Sequence, residues 1–280
     1  MSRIISASRR TDLIAHFPEY LMESFKKRKA EVFGPFKGKY EVDLSLENVH
    51  TIVLWSKDFS NLISNKFDLR SILLEYSQLY FLFTITGLGG TFLEPAVPGT
   101  EKTVSQIEKL VKISGNPERV AIRFDPIIYW KKDGKTESNI EFFPFIAKAV
   151  GDSGVKRVIF SFMSIYPKCI KRAEKAKIEW VSIEKERKRE ILKEIYEIAD
   201  KHAIELLNCC NPETLDLGAK KASCIDGELL NRLHPEGKKV EIRKDPGQRK
   251  DCGCNYSVDI GSYTQSCPHS CLYCYANPKI

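Results

Sequence analysis

Short β-rich runs alternate with helical patterns over the first 210 or so residues, and this alternation limits the architectures open to the chain. The runs are residues 3–6, 51–55, 79–86 (LYFLFTIT), 119–124, 157–162 and 203–207. The run at 79–86 is rich in aromatic and β-branched residues, as a buried strand requires. Between them, residues 103–113 place Val104, Ile107 and Val111 on one helical face and stop near Gly115. Residues 182–201 repeat Ile191, Ile195 and Ile198 at helical spacing, opposite a face that includes Lys185, Arg187, Lys188 and Arg189. That charged face reads as a solvated surface. Strand–helix alternation implies a parallel sheet covered by helices. Six such units predict an α/β fold, a full or partial TIM-like β/α barrel; a doubly wound open sheet is the alternative, because strand order is not written in the pattern. The barrel domain is expected over residues 1–234 and a cysteine-rich, iron–sulfur-binding tail packed on it over 235–280, after the polar stretch at 235–251.

Composition excludes several classes. At 280 residues, 42% hydrophobic and 29% charged, the chain can bury a core without disulfide staples. No run approaches the roughly 18 apolar residues of a membrane helix. The first twelve residues carry Arg3, Arg9 and Arg10 and lack the apolar centre of a secretory signal. A cytoplasmic protein with no membrane partner is expected. The net charge of +7 suits a Lys-rich solvated surface, and equally a phosphate-bearing partner. No P-loop, nucleophile elbow, HExxH or dinucleotide fingerprint is present.

The nine cysteines are distributed unevenly: none precedes residue 169 and five fall within residues 252–274. In a reducing compartment, clustered thiols point to metal or redox chemistry. Cys267, Cys271 and Cys274 form C-x3-C-x2-C, three thiolates able to converge on one centre. That is one fewer than a closed zinc site or an all-cysteine iron–sulfur cluster uses. The alternatives are a zinc or electron-transfer site completed by His269 or an outside cysteine; a polar loop role for His269 is the simpler one. Cys252-x-Cys254, together with Cys224 and Cys210 or Cys209, supplies four more thiols, enough for a second site holding a [4Fe–4S] cluster or zinc. Their bland alternative is isolated buried thiols. Cys169 stands alone and reads as structural.

Strand ends carry the other candidates, since ligands of β/α barrels collect where the βα loops begin. Arg9, Arg10 and Asp12 follow the first run, and Lys57 and Asp58 the second. Arg123 and Asp125 end the fourth. Arginine suits carboxylate or phosphate recognition. The structural alternatives are helix capping by Asp12 and Asp58 and an internal Arg123–Asp125 ion pair.

The segment CPHSCLYCYAN (residues 267–277) resembles the signature loop of the radical S-adenosylmethionine (SAM) superfamily, with Tyr273 at its aromatic position, and is similar to that of spore photoproduct lyase-like proteins. Over nearly the whole chain, ISASRRTD (5–12), LWSKD (54–58), RFDPI (123–127), SCIDGEL (223–229) and QRKDCGC (248–254) resemble the DUF1848 family. The radical SAM resemblance implies a [4Fe–4S] cluster on Cys267, Cys271 and Cys274, with SAM on its open iron. It implies reductive cleavage of SAM to a 5′-deoxyadenosyl radical, fed by an external donor such as flavodoxin or ferredoxin. The substrate would be a small molecule or a nucleic acid. Tyr273 would lie beside the adenosyl group, and Arg9, Arg10, Asp12, Lys57, Arg123 and Asp125 would line the SAM or substrate pocket. Two departures stand out. In the superfamily the loop normally follows the first strand, whereas here only six residues follow Cys274. The nearest text to a SAM-binding Gly-Gly-Glu stretch is Gly89-Gly90-Thr91. The competing function is a non-catalytic metal protein, either an electron carrier or a zinc-stabilised nucleic-acid-binding module.

Overall fold

The structure is a computed structural model that describes residues 2–36 and 38–280; Met1, first of the residues considered for a secretory signal, lies outside the described residues. Eight strands form one parallel sheet: β1 (Arg3–Ala7), β2 (Val49–Ser56), β3 (Leu79–Thr84), β4 (Val120–Ile127), β5 (Arg157–Phe162), β6 (Glu205–Asn208), β7 (Lys220–Lys221) and β8 (Val258–Asp259). Every residue of β2 and β3 is buried, as expected of parallel strands covered on both faces.

The strand order is β7-β6-β5-β4-β3-β2-β1-β8. From β1 to β7 each new strand adds on the same side of its predecessor, so the sheet has no reversal of winding. A doubly wound sheet needs such a reversal, and that alternative is corrected. The expectation of a full barrel is corrected as well: no ladder joins β7 to β8, and the sheet stays open at two edges that pair over only two residues each.

Successive residues of a strand face opposite sides, and the two sides differ. One carries Ile5, Ile52, Leu54, Phe81, Phe83 and Phe160 and packs against the helical layer. That layer includes α2 (Phe143–Asp152) and α4 (Lys185–Lys201). Helix α4 presents Ile191, Leu192, Ile195 and Ala199 inward and leaves Lys185, Arg187 and Arg189 to solvent. The helix expected over 103–113 is two helices, Thr100–Val104 and Ile107–Ser114. The second ends at Gly115, whose φ of +67° supplies the left-handed cap.

The opposite side carries Ile4, Val53, Trp55, Leu82, Ile159 and Leu207. Helix α5 (Gly227–Leu233) covers one end of it with Leu229, Leu230 and Leu233. The Leu230 carbonyl accepts from Gln78 Nε2 at 2.9 Å and the Leu233 carbonyl from Arg119 Nη2 at 2.9 Å. Asp226, the N-cap of α5, pairs with Arg157 at 3.0 Å. Gln78, Arg119 and Arg157 all stand where strands begin. Helix α5 therefore closes the N-terminal end of this face, and the C-terminal strand ends are left to the cysteines.

Residues 235–280 do not sit apart from the sheet. They supply β8, whose Val258 and Asp259 pair with Ile5 and Ser6. Tyr263 N donates to Phe33 O at 3.0 Å, which ties the segment to the hairpin Lys29–Phe33 and Lys39–Asp43.

Candidate functional site: two cysteine clusters at the strand ends

The loop after β1 is shaped by one carboxylate. Asp259 accepts from Ser6 Oγ at 2.8 Å, Ser8 Oγ at 2.6 Å and Arg9 N at 2.9 Å. These bonds turn the chain so that Asp12 points inward as the N-cap of α1 (Leu13–His16). Asp12 accepts from Ala15 N at 3.0 Å, Ser56 Oγ at 2.8 Å and Lys57 N at 2.7 Å. Its fourth donor is His269 Nε2 at 2.8 Å. Burial would raise the Asp12 pKa, but the charge and hydrogen bond of His269 hold it below the ordinary carboxylate value. The capping role expected of Asp12 is thus combined with anchorage of the cysteine loop.

His269 settles its own role by geometry. Its Nδ1 faces the Ala96 carbonyl at 3.1 Å and its Nε2 faces the Asp12 carboxylate. Both partners can only accept, so both ring nitrogens must carry protons, which makes the ring an imidazolium. Burial opposes that charge, but Asp12 raises the His269 pKa above its ordinary value. Both ring nitrogens are thus engaged by protein acceptors, which favours the polar loop role over the alternative in which His269 completes a site on the loop.

The three cysteines of the loop are clamped from two sides. Cys267 N donates to Asn277 O at 2.8 Å and Lys279 N returns to Cys267 O at 2.8 Å, which closes the loop on itself. From α3 (Pro167–Lys175), Arg172 Nη1 donates to Cys274 O at 2.5 Å and Cys169 Sγ to Tyr273 O at 3.3 Å. Cys169 is a structural thiol in this arrangement. Backbone N–H groups of Asp12 and His269 point at the Cys267 sulfur, and Ala276 N lies 3.4 Å from the Cys274 sulfur. Burial pushes the Cys267 thiol up to about 11, with Asp12 adding to the rise. Burial likewise raises Cys271 and Cys274, opposed at Cys271 by Lys57 and at Cys274 by Arg172 and Lys57. Loading a metal here must displace protons, and the N–H groups are placed to stabilise the resulting thiolates.

Tyr273 is fixed by a residue that sequence reading did not single out. Glu94 is buried and accepts from Thr86 Oγ1 at 2.6 Å, Lys57 Nζ at 2.9 Å and the Tyr273 hydroxyl. Lys57 Nζ also donates to the Tyr273 hydroxyl at 2.9 Å. Glu94 sits in residues 87–98, the segment containing Gly89-Gly90-Thr91. Here Gly89 is required sterically, because a Cβ on it would lie 1.9 Å from the Pro98 carbonyl oxygen. The tight turn lets Leu93 O accept from Leu272 N at 3.1 Å, so this stretch is the pedestal of the cysteine loop. Burial works against the charges of Glu94 and Lys57, yet their mutual attraction keeps both ionised. Glu94→Ala should therefore cost about 3–5 kcal/mol by stranding a buried ammonium, while Lys57→Met with Glu94→Leu should recover much of the loss. Urea unfolding of the two variants in the metal-free state checks this.

The second set of cysteines gathers more tightly than expected. Cys209 Sγ lies 3.8 Å from Cys210 Sγ and 3.9 Å from Cys224 Sγ. Cys210 also contacts Cys252, Cys252 contacts Cys254, and Cys254 contacts Cys224, so five thiols form a closed ring. Sequence reading offered Cys209 and Cys210 as alternatives; the fold brings both in. Arg9 lies beside Cys254, Arg123 beside Cys224 and Cys209, and Arg249 beside Cys210. Among the described residues, no three His, Cys, Asp or Glu side chains converge on an ion-sized point.

The remaining candidates divide. Arg9 pairs with Asp245 at 3.2 Å, and Arg9 and Arg123 flank the Trp55 ring at 5.4 and 5.0 Å. Arg123 pairs with Asp125, as its structural alternative predicted, and Ser161 Oγ donates to the same carboxylate. Arg10 turns away: it donates to Gly261 O at 2.6 Å and stacks on Tyr263 at 4.4 Å, holding the C-terminal segment. Asp58 accepts from Ser60 N at 3.0 Å and from Gln106 Nε2 at 2.8 Å, a local structural role.

The fold is a mixed α/β one, a parallel sheet whose C-terminal strand ends carry polar side chains and two groups of thiols. Residues 4–276 match the family described as Domain of unknown function (DUF1848), and the chain belongs to that family. No curated protein matches the sequence. Among the described residues, no helix is long and apolar enough to cross a membrane.

Proposed function

We propose that the chain is an iron–sulfur enzyme of the radical SAM kind, with Cys267, Cys271 and Cys274 holding a [4Fe–4S] cluster at the C-terminal edge of a partial β/α barrel. The observation that carries this reading is the engagement of His269. The loop offers three thiols, and both nitrogens of its imidazole are committed to Asp12 and Ala96. A cluster held there keeps one iron free of these protein donors, and bound SAM on that iron would supply a one-electron route to hydrogen abstraction.

The chain's own residues orient and shield. Lys57 and Glu94 hold Tyr273, the aromatic residue of the signature, by its hydroxyl. Arg172 and α3 fix the back of the loop through Cys274 O. Arg123, anchored by Asp125 and lying 3.4 Å from Thr84 Oγ1, presents cationic charge at the strand ends for a carboxylate or phosphate. An external one-electron donor of the flavodoxin or ferredoxin class would reduce the cluster in the cytoplasm, and the substrate would be a small molecule or nucleic acid.

Electron paramagnetic resonance of the anaerobically reconstituted, dithionite-reduced protein tests the reading. Addition of SAM should shift the cluster spectrum, and Cys271→Ala should abolish the shift. An intact, reducible cluster whose spectrum is indifferent to SAM would favour the non-catalytic metal protein instead.

A further inference from the structure

We infer that an acidic one-electron donor protein docks on a basic stripe of α3, beside the three-cysteine loop; the inference rests on the reading of that loop as the seat of a reducible cluster.

Helical spacing makes the stripe. Lys168, Lys171, Arg172 and Lys175 stand at i, i+3, i+4 and i+7 of α3, on one face of the helix, while Cys169 and Ala173 are buried in the apolar cluster that holds Cys271 and Tyr273. Lys168, Lys171 and Lys175 are exposed, and among the described residues they form no ion pair. Helix α4 differs: Lys185 pairs with Asp216 at 3.6 Å, Arg187 with Glu190 at 2.7 Å and Lys188 with Glu213 at 2.8 Å. The helix dipole accounts for Arg172 and Lys175 in the last turn, but it disfavours a cation in the first turn, where Lys168 stands.

Placement is the second argument. Arg172 joins the stripe to Cys274 O by one hydrogen bond, and Lys168 Nζ donates to Ala276 O at 3.1 Å, an uncharged partner that leaves its charge uncompensated. Between these anchors Tyr275 is 57% exposed, its ring 6.3 Å from that of Tyr166, and Cys274 itself is half-buried. The stripe and an exposed aromatic residue therefore meet where the cysteine loop reaches the surface. Transient redox complexes are small, and complementary charge steers and registers them, so an unpaired basic stripe fits an acidic partner. Nucleic acid is also drawn to cations, but the stripe backs onto the cysteine loop, where electron delivery is served. One electron passes from the donor to the cluster; the donor is oxidised and the cluster reduced by one, and no bond forms or breaks.

Stopped-flow reduction of the reconstituted full-length protein by an acidic flavodoxin in its hydroquinone form tests the surface, with dithionite as a reductant that needs no docking. Lys171→Glu/Lys175→Glu should slow the flavodoxin reaction about 10-fold or more at low salt and leave dithionite reduction unchanged. Arg189→Glu/Lys193→Glu, on exposed positions of α4, makes the same change in net charge and should leave both rates as in the parent chain. Equal slowing in the two variants, or none in either, would overturn the inference. A chain that dithionite does not reduce fails the cluster reading instead, and isothermal titration with oxidised flavodoxin then decides: affinity lowered about 10-fold by the α3 variant alone is expected. No binding, or binding that the α3 variant leaves intact, would overturn the inference. A single-stranded oligonucleotide is titrated in parallel; binding tighter than that of flavodoxin, and lost in the α3 variant, would overturn it in favour of nucleic acid.

Discussion

Cys271→Ala is expected to remove the whole first cluster, about four irons per chain, and to reduce SAM cleavage to background, while the sheet stays folded. Cys271 is buried in the apolar cluster that also holds Leu93, Trp130 and Tyr273, and alanine keeps most of its volume. Its loss leaves two thiols in the loop, with both His269 nitrogens engaged by Asp12 and Ala96, so the cluster has too few ligands. Cys169→Ala is the matched control. Cys169 is also buried in this layer, yet its sulfur donates to the backbone carbonyls of Tyr273 and Cys274. Iron content should be unchanged in that variant. Equal iron loss from both would mean that the effect is general disruption of the loop's packing.

Asp12→Ala is expected to lower stability as much as Glu94→Ala does. The carboxylate satisfies four donors and is the counter-charge of a buried imidazolium. Removing it should destabilise the metal-free protein by about 3–5 kcal/mol, the usual cost of stranding one member of a buried pair. In a chain of this size, that corresponds to a melting temperature lower by roughly 6–20 °C. Asp12→Asn with His269→Asn should recover part of the loss, because the second change removes the stranded charge. Additive losses in the double variant would show that the two side chains act independently.

The strands were legible where tertiary burial imprints a continuous apolar run. LYFLFT is buried throughout, and the expected run at 157–162 coincides with β5. The edge strands were not legible. Lys220–Lys221 and Val258–Asp259 are two residues each, and their strand state comes only from pairing with β6 and β1. Winding was also unreadable, because the alternation of strands and helices is the same whether each strand adds to the left or the right of its neighbour. The three-cysteine loop is local and announced itself by spacing. The five-thiol ring is not local: its members span residues 209–254, and only the fold joins them. Glu94 lies in a glycine-rich loop with no motif; its partner Lys57 is visible as a basic residue at a strand end, but nothing in the sequence marks Glu94 as its buried counter-charge. Arg10 illustrates the converse. It matched the pattern of a strand-end ligand, yet Tyr263 and Gly261 claim it.

A cluster held by Cys267, Cys271 and Cys274, as proposed, leaves one iron open to SAM. The most direct measurement is 5′-deoxyadenosine formed by the reconstituted, reduced protein with SAM and no added substrate, with Cys271→Ala in parallel. Slow, dithionite-dependent formation is expected from the parent chain and none from the variant. A parent chain with an intact, reducible first cluster that yields no 5′-deoxyadenosine would contradict it.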